Sequence, residues 1–425
     1  MGGNLESAIL MGPANPAASI PFHDRAMVFR IAGLYMIQGI PLGLGFEAIP
    51  TLLRDAGTPL ASLAWLPLIG LPWMFNLFWA PIIDGRWNSK IGKRRSWIIP
   101  MHIGLVIGLC ALALIPFTPD NVSIILIIAT VTSLFGATQD IAVDGLAAES
   151  LPTEALGGAN AAQVGGMAIG LLLGGAGVMI AVDQFGQFIA LSLLAALVLL
   201  ALTPVLFWQE NTSASKTMHS KARIWWFFSR QFAASVLWLG LIATISGTVL
   251  HALWRLILVD FGWTPSEIGL YSALGYTGVM ALASILAPLL LKRFGERRIG
   301  VLGIMFAGLA GLGWAAIAND SLAAVPYIIG PLIAMAGIGI SLSSVVVFSV
   351  VMRFAQAGDQ PGTDFTVFQS SHVLGGGIAS SIAIGISGAF GYLAGLTLGI
   401  GVCVLAIITL LSVSGHLFQS VERGQ

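Results

Sequence analysis

Apolar residues occur in long runs along most of the chain, and short polar stretches separate them. A helix needs about 20 mostly apolar residues to cross a membrane, and the runs have that length. They lack the apolar–polar alternation of a membrane barrel, so we expect helices. Twelve membrane-spanning helices, spans 1 to 12, are predicted at 26–53, 59–83, 97–117, 121–148, 156–182, 186–208, 229–259, 265–291, 299–318, 321–352, 362–387 and 389–416.

Composition gives the same answer, because 57% of the 425 residues are hydrophobic and only 9% are charged. A soluble domain carries about 25% charged residues, so most of this surface faces the lipid bilayer. We therefore predict an all-α integral membrane protein with no nucleic-acid partner. Cys110 and Cys403 lie alone in apolar segments, which excludes a disulfide framework and gives no sign of a metal site or a cofactor. The first 19 residues lack the pattern of a cleaved signal peptide.

The basic residues predict the orientation. If the N-terminus is cytoplasmic, 17 of the 19 Lys and Arg residues fall on the cytoplasmic side, with Arg54 outside and Arg255 inside span 7. An excess of Lys and Arg in short loops marks the cytoplasmic side of a membrane protein. Both termini are therefore predicted to be cytoplasmic.

The chain repeats itself at an offset of about 206 residues. In both copies a turn precedes an Ala-Pro pair and then a basic loop: Asp55-Ala56-Gly57-Thr58-Pro59 with Ala80-Pro81, and Asp260-Phe261-Gly262-Trp263-Thr264-Pro265 with Ala287-Pro288. A parallel repeat of six spans is typical of the 12-helix major-facilitator fold, whose substrate site lies between the halves. We predict two six-helix bundles around a central cavity, at 1–209 and 229–425, joined by a cytoplasmic linker at 210–228, in a monomer.

Two carboxylates in span 4, Asp140 and Asp144, are the strongest candidates for chemistry. Their spacing of four residues puts them on one face of the helix. Acidic side chains inside a span are costly and mark ion or substrate paths, and two that lie close together favour retention of a proton. A role in proton coupling follows. The alternative is a structural pair anchored by Arg94 or Arg95.

Span 1 and span 7 each carry a charge at a similar depth, Glu47 and Arg255. The repeat predicts that they pair across the central cavity, where Glu47 is a further proton-coupling candidate and an anionic substrate competes for Arg255. His251 lies one turn from Arg255 and is a substrate-binding candidate with it. The alternatives are a Glu47 solvated near the outer interface and an Arg255 that reaches the outer headgroups.

Span 11 opens with an acidic residue and carries two polar residues deeper along the helix. Asp364 complements the positive end of the helix. Gln369 and His372 are predicted to line the cavity and contact substrate.

The loop after span 2 resembles the Asp, Gly and basic cluster that major-facilitator proteins carry at this place, which implies a cytoplasmic latch between helices. The latch residues would be Asp84, Gly92, Arg94 and Arg95. A plain positively charged cytoplasmic loop is the alternative. The matching position in the second half is Leu291, so we expect the latch in the first half only.

Two stretches carry a more specific resemblance: Trp79-Ala80-Pro81 with Asp84 and Gly92-Lys93-Arg94-Arg95-Ser96-Trp97, and Ala137-Thr138-Gln139-Asp140-Ile141-Ala142-Val143-Asp144. Together they resemble the muropeptide-permease and acetyl-CoA-transporter family of the major facilitators. Within it, Asp144-Gly145-Leu146-Ala147-Ala148-Glu149 and Gly362-Thr363-Asp364-Phe365-Thr366 look more like the rhizobactin and pyochelin siderophore permeases. Muropeptide permeases carry a Phe-Asp-Ala-type sequence after the Gln-Asp pair, and the departure here counts against muropeptide uptake.

The resemblance implies proton-driven import of a siderophore, ferric or free, across the inner membrane of a bacterium by rocking of the two bundles. The alternative is a permease or exporter for another amphipathic metabolite, such as a muropeptide or an acyl-CoA. An intramembrane enzyme is disfavoured because no catalytic Ser/His or metal motif is present. A sensor on a transporter scaffold would bind substrate without moving it.

Overall fold

Helices make up nearly all of the computed structural model, which describes residues 22–150, 156–208, 210, 224–356, 358 and 361–422. In these ranges eleven helices are long and apolar enough to cross a membrane, and no strand occurs. They are Ala26–Asp55 (span 1), Arg95–Leu114 (3), Val122–Ser150 (4), Gln163–Phe185 (5), Gln187–Leu206 (6), Ala233–Asp260 (7), Pro265–Phe294 (8), Glu296–Ala318 (9), Pro326–Gln356 (10), Pro361–Phe390 (11) and Tyr392–Glu422 (12). A short helix, Ile224–Ser229, precedes span 7.

Span 2 fills the remaining predicted position, but it is broken into short segments: Leu60–Leu63, Leu66–Gly70, Leu71–Phe75, Asn76–Phe78 and Ala80–Gly85. Pro67, Pro72 and Pro81 each stand near the start of a segment. Proline has no amide hydrogen and its ring clashes with the preceding turn, so it begins a helix well and interrupts a continuing one. The prolines therefore explain why this span is segmented.

The repeated turns have the same backbone structure in both halves of the chain. Gly57 and Gly262 adopt positive φ angles of 87° and 81°. The amide after each glycine bonds back to the helix, from Thr58 to the Leu53 carbonyl at 2.9 Å and from Trp263 to the Leu258 carbonyl at 3.0 Å. A left-handed glycine of this kind is a common end for a helix, since only glycine adopts it without strain. The sequence repeat is therefore also a structural repeat at these turns.

Span 5 packs closely against span 1 along a row of glycines. Gly166, Gly170 and Gly174 are four residues apart, a spacing that predicts close helix packing. A Cβ atom added to any of them would collide with a span 1 carbonyl oxygen, that of Ala32, Met36 or Ile40. The backbones touch directly, and the prediction is confirmed.

Replacing Gly170 by valine is expected to destabilise the protein by about 1–3 kcal/mol or more, because the two backbones must separate. The measurement is the thermal unfolding midpoint of the purified protein in detergent. Gly165→Val is a matched control on the same helix, since a Cβ atom there meets nothing within 4 Å. Equal midpoints for the two variants would contradict the close-packing explanation.

The two halves of the chain meet through the ends of their spans near residues 55–60 and 260–265. We call these the outer ends, because the distribution of Lys and Arg predicts that they face away from the cytoplasm. Span 5 packs against span 8 there, and span 11 packs against the segments of span 2. Close approach again depends on glycine, because a Cβ at Gly388 would lie 2.7 Å from the Ala61 amide nitrogen. Within the described ranges, the extensive contacts between the halves lie between their outer portions. The division into domains at 209 and 229 stays a prediction.

Candidate functional site

Span 4 places Asp140 and Asp144 one turn apart, and their surroundings differ. The Tyr35 hydroxyl, buried in span 1, donates a hydrogen bond to Asp144. The buried Arg94 guanidinium lies against Gly145, the next residue, and interacts electrostatically with Asp144. Asp140 is half-buried and makes no hydrogen bond or ion pair with the described part of the chain. The anchored-pair alternative therefore fits Asp144, whereas Asp140 is a lone carboxylate inside a span.

The predicted latch residues make contacts inside the first half. The Arg95 side chain donates to the Leu206 carbonyl at 2.9 Å, which ties the start of span 3 to the end of span 6. Gly92 has a φ of 117°, and a Cβ atom there would meet the Glu210 carboxylate. The side chain of Asp84 lies outside the described residues, so its part in the predicted latch stays a prediction.

Glu210 is a functional candidate that the sequence reasoning missed. Its carboxylate accepts backbone hydrogen bonds from Arg94, at 3.0 and 2.9 Å, and from Arg95, at 3.1 Å. These amides begin span 3, and a carboxylate is favourable at the positive end of a helix. Glu210 is the first acidic residue after span 6, which is the one signal the sequence offered.

Substituting Glu210 by glutamine is expected to lower stability by about 0.5–2 kcal/mol, the usual range for the loss of a helix cap. Uptake by the variant should persist, because the contact lies at a helix end and not in the cavity. The thermal unfolding midpoint tests the stability, with Asp120→Asn, an exposed acid at the outer side, as the control. A midpoint equal to that of the control would show that Glu210 does not cap span 3.

The second half has ion pairs at the corresponding helix ends. Arg353 at the end of span 10 binds both carboxylate oxygens of Glu296 at the start of span 9, each at 2.5 Å. Arg230 pairs with Asp364, and its guanidinium lies 3.8 Å from the centre of the Phe354 ring. Asp364 is thus a fully buried ion-pair partner as well as a residue at a helix start. No second latch is needed to tie these helix ends together.

Glu47 and Arg255 form a buried ion pair between the two halves. Arg255 Nη2 lies 2.9 Å from Glu47 Oε1, and both side chains are less than 10% exposed. Ser272 in span 8 joins them, because its hydroxyl accepts from Arg255 Nη2 at 2.8 Å and donates to Glu47 Oε2 at 3.0 Å. The pairing expected from the repeat is present, and neither residue is solvated at the outer interface. Ser272 was not predicted, since a serine in a span has no distinguishing pattern.

Irregular helix surrounds this ion pair. Span 1 carries a π-helical segment at Leu44–Ala48, span 5 at Leu173–Gly177 and span 8 at Tyr271–Gly278. Glu47 and Ser272 lie in two of them. The third provides Gly175, where a Cβ would come within 2.6 Å of Glu47 Oε2. Single π-helical turns are frequent at functional sites, which agrees with the place of these three segments around the ion pair.

His251 lies beside the ion pair, as its spacing from Arg255 predicts. Arg255 Nη1 lies 3.2 Å from His251 Nε2. Arginine is only a donor, so Nε2 accepts and the ring proton is on Nδ1. The imidazole packs on Tyr276 with ring centres 4.4 Å apart. Nδ1 is buried and has no partner in the described residues.

A second connection between the halves lies nearer the outer end. Arg54 binds both oxygens of Asp260 at 2.6 Å, and the Tyr392 hydroxyl donates to the same carboxylate at 2.8 Å. This group is partly exposed, unlike the Glu47–Arg255 pair. The sequence showed Arg54 only as the one basic residue outside.

His372 and Gln369 of span 11 have different surroundings. His372 Nδ1 lies 2.6 Å from the Thr244 hydroxyl of span 7, and the ring lines a cavity in the second half. Gln369 is exposed and is not among the residues that line this cavity. The structure brings the proposed substrate residues into two places: Arg255 and His251 at the outer contact, and His372 in the cavity.

Comparison with known proteins finds a family model that matches part of the first half, and several relatives. A family described as acetyl-coenzyme A transporter 1 matches residues 27–185. An uncharacterized membrane protein of Saccharomyces cerevisiae is 35% identical over 189 residues, which are 38% of this chain and 33% of that protein. The protein AmpG 4 of Rickettsia conorii, whose own assignment as a transporter is provisional, is 24% identical over 67% of this chain and 71% of that protein. The matched part of the chain thus spans a third of the yeast relative.

Solved structures show the fold over nearly the whole chain. The nucleoside transporter NupG superposes with a TM-score of 0.68 and 13% identity, covering 91% of this chain and 99% of that one. A D-xylose–proton symporter gives a TM-score of 0.66 and 13% identity, covering 92% and 97%.

These relatives agree with the family resemblance and give no support to the siderophore branch, since none reported above is described as a siderophore permease. The matched family and the two solved structures are described as transporters, which supports the prediction that the chain is not an enzyme. The chain is a multi-pass membrane protein with the twelve-helix fold of the major facilitator superfamily, and its first five spans are similar to the acetyl-coenzyme A transporter family.

Proposed function

We propose that this protein is a proton-coupled secondary transporter for an amphipathic metabolite of the muropeptide or acyl-coenzyme A class. It would work as a monomer by alternating access in a bacterial inner membrane, with both termini cytoplasmic. The observation that carries the proposal is the buried Glu47–Arg255 pair, which joins the two halves where they close on each other.

The pair would act as a reversible contact between the halves. Opening the outer side must separate Glu47 from Arg255, and removing a partner from a buried charge is strongly unfavourable. An anionic group of the substrate can replace Glu47 beside Arg255, and a proton can neutralise Glu47. The substrate anion would compensate Arg255 and the proton would compensate Glu47, so the two events together offset the broken pair and couple substrate and proton binding to the opening.

Asp140 would supply the second proton-binding position. Within the described residues Asp140 makes no hydrogen bond or ion pair, so protonation there breaks no such contact. Asp144 stays bound to Tyr35 and near Arg94, which favours a supporting role for it. Proton binding at Asp140 would therefore change the charge inside the first half at little cost in contacts.

The substrate class rests on the relatives. The acetyl-coenzyme A transporter match and the AmpG 4 match both favour the amphipathic metabolites over a siderophore. The departure after Gln139-Asp140 counted against muropeptides, and the AmpG 4 match over two thirds of this chain counts for them. A ferric siderophore remains a substrate to be compared directly.

Purified protein in liposomes, with an acidic exterior, tests the proposal. Three labelled probes are compared: an anhydro-muropeptide, acetyl-coenzyme A and ferric pyochelin. We expect one of the first two to accumulate above its external concentration, and a protonophore to abolish that accumulation. Accumulation of ferric pyochelin alone would return the substrate to the siderophore class. Absence of accumulation for all three probes would reject a transporter of these substrates.

A further inference from the structure

The cavity that contains His372 lies entirely within the second half, between spans 7, 10 and 11. Its volume is about 70 Å³, which is room for several water molecules or one small chemical group. Five of its eight lining residues are polar: Thr244, Thr248, Ser343, Ser344 and His372. The other three are aliphatic, so the lining contains no Lys, Arg, Asp or Glu.

The hydroxyl protons of this cavity are mostly already donated to the protein. Thr248 donates to the Thr244 carbonyl at 2.7 Å, and Ser343 donates to the Gly339 carbonyl at 2.8 Å. A hydroxyl has one proton and two lone pairs, so each of these groups still accepts a hydrogen bond but has no proton to give. The cavity therefore offers acceptors at these positions.

His372 follows the same rule. Thr244 donates its proton to the Gly240 carbonyl at 2.7 Å, and its oxygen lies 2.6 Å from His372 Nδ1. With the threonine proton used, Nδ1 carries the hydrogen and donates to Thr244, which leaves Nε2 of the neutral ring as an acceptor. Nε2 makes no hydrogen bond to the described residues. Ser344 also makes none there and can serve as donor or acceptor.

We propose that this cavity is a subsite for a small uncharged, donor-bearing group of the substrate, such as a hydroxyl or amide substituent of a sugar ring. The proposal rests on the transport function proposed above and deepens it by naming the part of the substrate that binds in the second half. Thr248, Ser343 and His372 Nε2 accept hydrogen bonds from the ligand, and Ser344 completes the set. A phosphate or carboxylate does not fit, because it brings only acceptors and would be buried without a cation.

The charged part of a substrate has a different place in the molecule. Arg255 is a buried cation of span 7, and it lies at the contact with Glu47 rather than in this cavity. Span 7 connects the two places, since it carries both Thr248 and Arg255. An amphipathic substrate with a neutral ring at one end and an acid at the other matches this division.

The test uses a neutral probe, N,N′-diacetylchitobiose, and an anionic probe without carbon-bound donors, inorganic phosphate, on the purified protein. Binding is measured by titration of the thermal unfolding midpoint with each probe. We expect the neutral disaccharide to stabilise the wild type. The double variant Thr248→Val/Ser344→Ala keeps the side-chain shapes but loses two hydroxyls, and it should bind the disaccharide at least about tenfold more weakly.

Two further variants sharpen the result. His372→Asn places an amide near the Nδ1 position, where it can still bond to Thr244, but has no counterpart of Nε2, so we expect weakened binding of the disaccharide. Ser341→Ala is the matched control, because this hydroxyl is on span 10 and pairs with Ser284 at 2.7 Å outside the cavity. It should bind the disaccharide as the wild type does.

Three outcomes would overturn the subsite: no binding of the disaccharide to the wild type, stabilisation by inorganic phosphate that the double variant loses, or unchanged disaccharide binding in both the double variant and His372→Asn. Uptake of the muropeptide probe in liposomes separates this failure from that of the transport function. Wild-type uptake together with unaffected cavity variants rejects the subsite alone, whereas absence of uptake of every probe by the wild type rejects the function.

Discussion

Replacing Arg255 by glutamine is expected to abolish concentrative uptake and to lower the thermal unfolding midpoint strongly. The variant leaves Glu47 buried without its counter-charge, with Ser272 as its remaining partner across the halves. Removal of one member of a buried pair typically costs about 3–5 kcal/mol. Uptake in liposomes and unfolding in detergent are the two measurements.

Two control variants distinguish the effect of losing the buried Glu47–Arg255 pair from the effect of losing any ion pair. Arg54→Gln breaks the partly exposed pair with Asp260, and such pairs contribute about 0–1 kcal/mol, so its midpoint should fall little. The double variant Glu47→Gln/Arg255→Gln removes the uncompensated charge and should regain part of the stability without regaining uptake. If Arg255→Gln unfolded at the temperature of Arg54→Gln, the buried pair would not hold the halves together. Full uptake by the double variant would remove the pair from the mechanism.

Replacing Asp140 by asparagine is expected to end proton-driven accumulation and to leave exchange of substrate down its own gradient intact. Asparagine has nearly the same shape but cannot bind a proton, so binding and movement of the halves should persist while the coupling is lost. The measurement compares uptake with and without an imposed pH gradient, and the two should become equal in the variant.

Asp183→Asn is a matched control, because Asp183 is an exposed acid at the outer end of span 5. It should accumulate substrate as the wild type does. Asp144→Asn should have an intermediate effect, since Asp144 already has Tyr35 as a partner and Arg94 nearby. Full concentrative uptake by Asp140→Asn would contradict the proton-coupling role.

Several pairings in the candidate site follow from local sequence patterns. Asp140 and Asp144 share a face because a helix repeats every 3.6 residues, and His251 meets Arg255 for the same reason. The Glu47–Arg255 pair was predicted from the depth of each charge before a repeated turn, and the turns indeed have the same structure. Such predictions work because they need only helix geometry and the length of a span.

Other parts of the site had no local signal. Ser272 joins Glu47 to Arg255, Glu210 caps span 3, and Arg54 meets Asp260, all through contacts between residues far apart in the chain. The three π-helical segments around Glu47 were not predicted either, because one inserted residue in a helix leaves the apolar pattern almost unchanged. The segmented form of span 2 could have been read from its prolines.

The sequence by itself determined that this protein lies in a membrane, that it crosses many times, that it repeats itself, and which few side chains carry charge inside the spans. These properties depend on hydrophobicity and spacing, which act locally and need no knowledge of neighbours. Only the tertiary structure decided which of those charges have partners, that Asp140 has none in the described chain, and that the polar cavity of spans 7, 10 and 11 presents mainly acceptors. Those properties depend on how helices distant in sequence pack, because a buried polar atom is defined by the atoms that surround it.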